Sequence, residues 1–286
     1  MNERTAFVLA GGGSLGAIQV GMLRALLMAD VRPDFVVGTS VGAINGAYFA
    51  ADPTLAGVAR LGQIWASITR RDVFPLNPLG AMRGVFGHRE HLLEPSGLRR
   101  LLTTHFGNAR LESLVLPCAI VASDVRNGAE VVLTSGPASD ALMASASIPV
   151  LLPAVRVGGR DLVDGAIANN APISTALAMG ASRVIVLPTG FTCATSQPPS
   201  NAIAMVLHTM TLLVARQLVY DVERLGARAP IAIVPPLCPL PVSAYDFSQA
   251  ALLEDRAAEA TGAWIRDGGL ESSKIPVALG PHEHVM

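Results

Sequence analysis

Lysine is almost missing from this 286-residue chain: Lys274 is the sole one beside 20 arginines. A phosphate-cradling P-loop needs a lysine next to the last glycine of its loop, so that class of nucleotide site is excluded, and a Schiff-base lysine has one candidate position. Charge is scarce altogether, at 15% of residues where about 25% is ordinary. The 21 basic and 22 acidic residues leave a net charge of −1, so no global field draws in nucleic acid, which is not expected as a partner. Cysteine is sparse as well. Cys118, Cys193 and Cys238 are odd in number and far apart; their spacing suggests neither a disulfide framework nor a paired-cysteine zinc site, and a reducing, cytoplasmic setting fits them. The opening apolar run before three glycines is too short for a secretory signal. The most apolar long stretch, residues 202–220, is broken by His208, Thr209, Thr211, Arg216 and Gln217, short of the about 20 apolar residues a membrane span requires.

What the chain does have is apolar mass: 51% hydrophobic residues and a mean hydropathy of +0.45. Disorder is thereby excluded as the main state, leaving either an unusually continuous core or an apolar surface that meets something greasy. Short runs rich in Val, Ile and Leu alternate with helical patterns, the signature of strands buried on both faces by crossover helices. Strands are predicted at 5–10, 34–37, 118–122, 183–187 and 231–234, with an added strand at 129–134 folded back through Asn127-Gly128. Helices are predicted at 15–28, 41–50, 54–69, 96–104, 173–179, 202–225 and 248–265. The expected architecture is α/β, three layers around a mainly parallel sheet. One domain over 1–286 is expected, its motifs within about 5–190 and a helical part over 199–286. The least regular stretches are 72–91 and 191–201, and the first reads as a cap over a site or as a surface loop.

Two glycine motifs end consecutive strands. The first, Gly11-Gly12-Gly13-Ser14-Leu15-Gly16, satisfies a dinucleotide-binding G-x-G-x-x-G, but that reading wants an acid closing the second strand. The acid there, Asp34, precedes the strand instead. The strand's end carries Gly38-Thr39-Ser40-Val41-Gly42, a G-x-S-x-G in strand-turn-helix context, where a serine is held on a sharp turn as a nucleophile. Parallel strands bring both loops to one crevice, so the amides of Gly11, Gly12 and Gly13 are placed to hold an oxyanion beside Ser40. A dinucleotide-binding protein remains the alternative, with a non-catalytic lipid-binding protein as another.

The serine needs a base. The histidines are His88, His91, His105, His208, His282 and His284, and a Ser, Asp, His chain order offers Ser40, Asp164 and His282 as a conceivable triad. Asp164, which follows Leu162-Val163 and precedes Gly165, is the other candidate, able to take the proton directly if burial raises its pKa. As a bare pattern it is equally a turn Asp-Gly after a strand.

Four segments together resemble the patatin-like phospholipase family, bacterial branch, up to about residue 187: the loop Gly11 to Gly16 with Ala17-Ile18-Gln19-Val20-Gly21; Gly38-Thr39-Ser40-Val41-Gly42-Ala43; Ala144-Ser145-Ala146-Ser147-Ile148-Pro149; and Val163-Asp164-Gly165-Ala166 with Asn169-Asn170-Ala171-Pro172. The resemblance implies a Ser-Asp dyad hydrolase of lipid acyl esters, without catalytic histidine, metal or other cofactor. By position it makes Ser40 the nucleophile, Asp164 the base, Gly11 to Gly13 the oxyanion loop, and Gly16, Gly38, Gly42 and Gly165 the motif glycines. Leu15 stands where many members carry Arg or Lys, so headgroup contacts would fall to Arg83, Arg89, Arg99 or Arg100. A lipid or acyl ester is the expected partner, with peripheral membrane contact through residues 205–219 or 74–86.

Overall fold

The computed structural model describes residues 3–73, 75, 91–191, 193, 202–280 and 282. Eight strands form one sheet: β1 (Thr5–Leu9), β2 (Phe35–Thr39), β3 (Cys118–Asp124), β4 (Glu130–Leu133), β5 (Val155–Val157), β6 (Arg160–Asp164), β7 (Arg183–Leu187) and β8 (Ile231–Ile233). Pairing runs β5-β6-β3-β2-β1-β7-β8, with β4 also on β3. The five strands from β3 to β8 along this path are mutually parallel, whereas β4, β5 and β6 pair antiparallel.

Strand alternation sorts the core into two layers. Phe7, Leu9, Val36, Ile120, Ile185 and Leu187 face one side. There they meet α1 (Gly16–Met28), α2 (Val41–Ala51), α3 (Leu55–Ser67), α5 (Ser96–Phe106), α6 (Ala138–Ser145) and α10 (Ala250–Arg266). Ala6, Val8, Phe35, Val37, Val121 and Val186 face the other side, against α8 (Ile173–Ala178) and α9 (Ala202–Leu225). The short helices α4 (Arg70–Val73) and α7 (Ala166–Asn169) complete the set among the described residues. This is the three-layer α/β/α arrangement, and the apolar excess is largely its core: all five residues of β2 are buried, as are all but the first of β1 and β7.

The register around β3 contains the arrangement that matters most for the site. Val121 pairs with both Thr39 and Val132, and Ala122 with both Val131 and Asp164. A strand residue has one neighbour on each edge, so β4 takes one edge of β3 while β2 and β6 share the other. Running in opposite directions along that edge, β2 and β6 meet head-on: Thr39, the last residue of β2, lies one register step from Asp164, the last of β6.

The predicted strands match in order and core, and the turn at Asn127-Gly128 does return β4 antiparallel onto β3. The β5–β6 hairpin and α6 were not anticipated as elements: β5 is three residues long, and β6 begins with Arg160-Asp161 and carries only Leu162 and Val163 as apolar residues. The candidate cap or contact segment 74–86, with Arg83, and also Arg89, His88 and His284, lies outside the described residues except for Pro75.

Candidate active site

Ser40 stands between β2 and α2 with φ +55° and ψ −127°. Positive φ is rare for a residue with a side chain and costs of order 1–3 kcal/mol, so surrounding bonds must hold it. The Ser40 N–H donates to Ser145 Oγ at 2.8 Å, and the Ser145 hydroxyl donates to the Val121 carbonyl at 2.6 Å. The elbow is thus tied to β3. A Cβ on Gly42 would collide with the Leu9 and Ala10 carbonyls; only glycine lets α2 start this close to the end of β1. Gly38 lies against the Gly42 backbone, Gly16 against Val41, and Gly165 against the Val121 carbonyl.

The Ser40 hydroxyl donates to Asp164 Oδ2 at 2.6 Å, and the Ala166 N–H donates to Oδ1 at 2.8 Å. The Asp164 backbone is fixed as well, its N–H on the Ser147 carbonyl at 2.9 Å and its own carbonyl accepting from Ser123 Oγ at 2.9 Å. Ser40 and Asp164 are 8% and 4% exposed. Burial pushes the Asp164 carboxyl up to about 6, against the lowering pull of its bonds from Ser40 and Ala166. Desolvation therefore makes this carboxylate a far better base than an exposed one, the requirement that a histidine-free site must meet.

His282 is not part of this arrangement. Its Nδ1 bonds the Gly280 carbonyl and its Nε2 meets Cys238, so the Ser40, Asp164, His282 order does not form a triad. Gly11, Gly12 and Gly13 line one cavity together with Ser40, but their backbone amides are not equivalent. The Gly11 N–H donates to the Asn170 carbonyl at 3.2 Å and the Ser14 N–H to the Ala244 carbonyl at 2.8 Å. Gly11 is thereby spent on structure, and Gly12 and Gly13 are left as the candidate donors. Leu15 is 1% exposed and packs in the core.

Ser40 sits where two cavities join, both reached by Gly13, Ile148 and Tyr245. One is a slim slot of about 80 Å³ walled by apolar side chains of α2, α3 and α5, among them Ile44, Ile64, Leu98, Leu101 and Phe106. The other is a vestibule of about 310 Å³ where Asn170, Thr211 and Gln217 accompany Ile167, Met210 and Leu213. Arg99 and Arg100 are not at either: Arg100 lines a separate outer groove with Arg71, and Arg99 lies 4.0 Å from Asp140.

Several residues at the site were not singled out from sequence. Gln19, fully buried, donates to the Ala10 and Leu187 carbonyls at 2.8 and 2.9 Å and accepts from Asn45, which in turn accepts from the Trp65 indole at 2.9 Å. This network ties α1, α2 and α3 together. The signal for it was two amides interrupting otherwise apolar helices. Tyr245 comes from beyond the glycine and dyad segments; burial and the Asp164 charge raise its phenol to about 12, so it stays protonated.

A family model described as Patatin-like phospholipase matches residues 7–177. The chain belongs to the patatin-like phospholipase family. It is 30% identical over 191 residues to patatin-like phospholipase domain-containing protein 7 of Rattus norvegicus, covering 65% of this chain and 13% of that protein. An uncharacterised NTE family protein of Mycobacterium tuberculosis is 32% identical over 179 residues, 62% of this chain and 29% of that protein. The chain thus spans a small part of these patatin-like relatives. Among solved structures, VipD of Legionella pneumophila superposes with a TM-score of 0.49 at 12% identity, covering 93% of this chain and 67% of that one. Human GIVD cytosolic phospholipase A2 gives 0.49 at 13%, covering 97% and 59%.

Proposed function

We propose that this chain is a lipid acyl hydrolase, phospholipase A-like or lysophospholipase-like, working through a Ser40–Asp164 dyad. The reading rests on the 2.6 Å bond from the Ser40 hydroxyl to a buried carboxylate, made on a strained elbow at the junction of an apolar slot and a wetter vestibule. Ser40 Oγ attacks the ester carbonyl while its proton passes to Asp164 Oδ2, and the Gly12 and Gly13 amides, with the N-terminus of α2, meet the oxyanion. Collapse expels the alcohol, which takes the proton back from Asp164. Asp164 then draws a proton from water, which attacks the acyl-serine and releases the fatty acid.

The slot suits an acyl chain, and the polar edges of Asn170, Thr211 and Gln217 suit the hydroxyls of a glycerol or simple alcohol. Exposed Ile167, Leu213 and Val150 surround this mouth or adjoin it, and peripheral contact with a lipid surface belongs to the same proposal. We take residues 1–286 as one domain, supported by β8 lying in the common sheet and α10 packing on α1. Among the described residues no helix is long and apolar enough to cross a membrane.

The deciding experiment is labelling with an alkyl fluorophosphonate, the modified residue identified by mass spectrometry. Modification at Ser40, absent from Ser40→Ala, is the expected result. No labelling with hydrolysis intact would sink the dyad, and saturable binding of NAD(P) or FAD by an unlabelled protein would restore the dinucleotide reading.

A further inference from the structure

The fold undoes one expectation drawn from spacing. Cys193 and Cys238 are 45 positions apart in sequence, but β7 and β8 are parallel neighbours, so the segments that follow them leave the same edge of the sheet side by side. The Cys193 N–H donates to the Leu240 carbonyl at 3.1 Å, and the Leu240 N–H donates to Cys193 Sγ at 3.3 Å. His282 comes in from a third segment, its Nε2 3.3 Å from Cys238 Sγ and its ring 5.9 Å from that of Phe191. The three ligand atoms, two Sγ and Nε2, all lie within 4.8 Å of one another.

We propose that Cys193, Cys238 and His282 form a binding site for a thiophilic divalent transition metal of the Zn2+ class. Zn–S bonds of about 2.3 Å and Zn–N bonds of about 2.0–2.1 Å, set tetrahedrally, place sulfurs about 3.8 Å apart and sulfur and nitrogen about 3.6 Å apart. The observed separations, all within 4.8 Å and 3.3 Å between Cys238 Sγ and His282 Nε2, bracket those values. Two further features match a ligand shell. His282 Nδ1 lies 2.8 Å from the Gly280 carbonyl, the backbone bond that fixes the tautomer with Nε2 bare toward the metal. The Leu240 N–H donates to Cys193 Sγ, a backbone bond of the kind that orients a ligand sulfur. Cys238 is exposed and the other two half-buried, which leaves an entry path and room for a water in the fourth position.

Binding takes two thiols and a neutral imidazole and returns two thiolates on the metal, so about two protons are released per ion at neutral pH. Its structural effect falls close to the catalytic loop. The segment leading to Cys193 carries Thr189, whose hydroxyl donates to the Gly11 carbonyl at 2.9 Å. A metal there staples this segment to the one following β8 and to His282. The inference does not depend on the hydrolase reading.

The test uses the full chain, stripped of metal and kept reduced with a non-thiol reductant. Zn2+ uptake is read by native mass spectrometry, Co2+ uptake by its thiolate-to-metal charge-transfer absorption, and proton release in weak buffer. One ion per chain, the charge-transfer band, and a melting temperature that rises with Zn2+ are expected. Cys193→Ser, Cys238→Ser and His282→Ala should each bind at least about 100-fold more weakly, with His208→Ala unchanged as a control histidine outside the cluster. Less than stoichiometric uptake, a Co2+ spectrum without thiolate bands, or affinity retained in all three variants would overturn the proposal. So would a Cys193–Cys238 disulfide forming while the reduced protein takes up no metal.

Discussion

The slot and the vestibule share Ser40 but are built differently. Apart from Tyr245 and Phe247, the slot is assembled wholly from residues inside the family-matched span, largely on helices that also contribute to the core. The vestibule owes one whole wall to α9, beyond that span, where Met205, Val206, Leu213 and Tyr220 remain exposed. Under the proposed reaction the acyl side falls to the family-matched span and the alcohol side in large part to a helix beyond it. Chain length should respond to core substitutions, and lipid class or surface attachment to substitutions on α9.

The largest expected effect removes what the two compartments share. Ser40→Ala and Asp164→Asn should each lower kcat on a short nitrophenyl ester by about 10⁴-fold or more, as removal of a nucleophile or its base does. Turnover within about tenfold of the parent in either variant would refute the dyad. Asp164→Asn should also stabilise the fold. A carboxyl held at about 6 in the folded chain, against an ordinary 3.8, favours the folded state only when protonated. Its penalty is absent below about 3.8 and complete above about 6, so the amide should gain on the order of 3 kcal/mol at pH 7.5 and nothing at pH 3.5, read by chemical denaturation at both pH values.

Narrowing the slot should separate the compartments. Ile44→Trp, one helical turn beyond Ser40, should cut kcat/KM for long-chain esters about 10- to 100-fold and spare short-chain esters; equal losses on both would mean the acyl chain lies elsewhere. The pH profile comes next. With Asp164 as base, kcat/KM should climb about tenfold between pH 4.5 and 5.5 and level off above about 6. A further inflection near 7 would implicate a histidine. The smallest effect belongs to the outer wall: Val206→Asp, on the exposed side of α9, should weaken hydrolysis of vesicle lipid several-fold without changing a water-soluble ester.

Much of this was legible in the sequence because buried parallel strands read as unbroken apolar runs: β1, β2 and β7 needed no context. The elbow was legible because Gly42 has no tolerated alternative against the Leu9 carbonyl. Asp164 was different. Its surroundings are a short strand with two charged residues, and its partner Ser40 lies 124 positions away; only the family pattern, not local spacing, set it above an ordinary turn. The occupied Gly11 amide, the Gln19–Asn45–Trp65 network and the convergence of Cys193 with Cys238 depend on which segments become neighbours, and no local pattern encodes that.

The head-on meeting of β2 and β6 has a consequence for the order in which the protein is made. The glycine loop and Ser40 leave the ribosome before Asp164 does, and strands β1 and β2 can begin to pair without anything further. Asp164 cannot reach the serine until β3 has docked on β2 and the β5–β6 hairpin has closed down the remaining length of that same edge. Such a distant pairing is slow to form. Under the proposed dyad a growing chain therefore holds Ser40 without its base, and hydrolytic competence would report that more than half the sheet has been assembled.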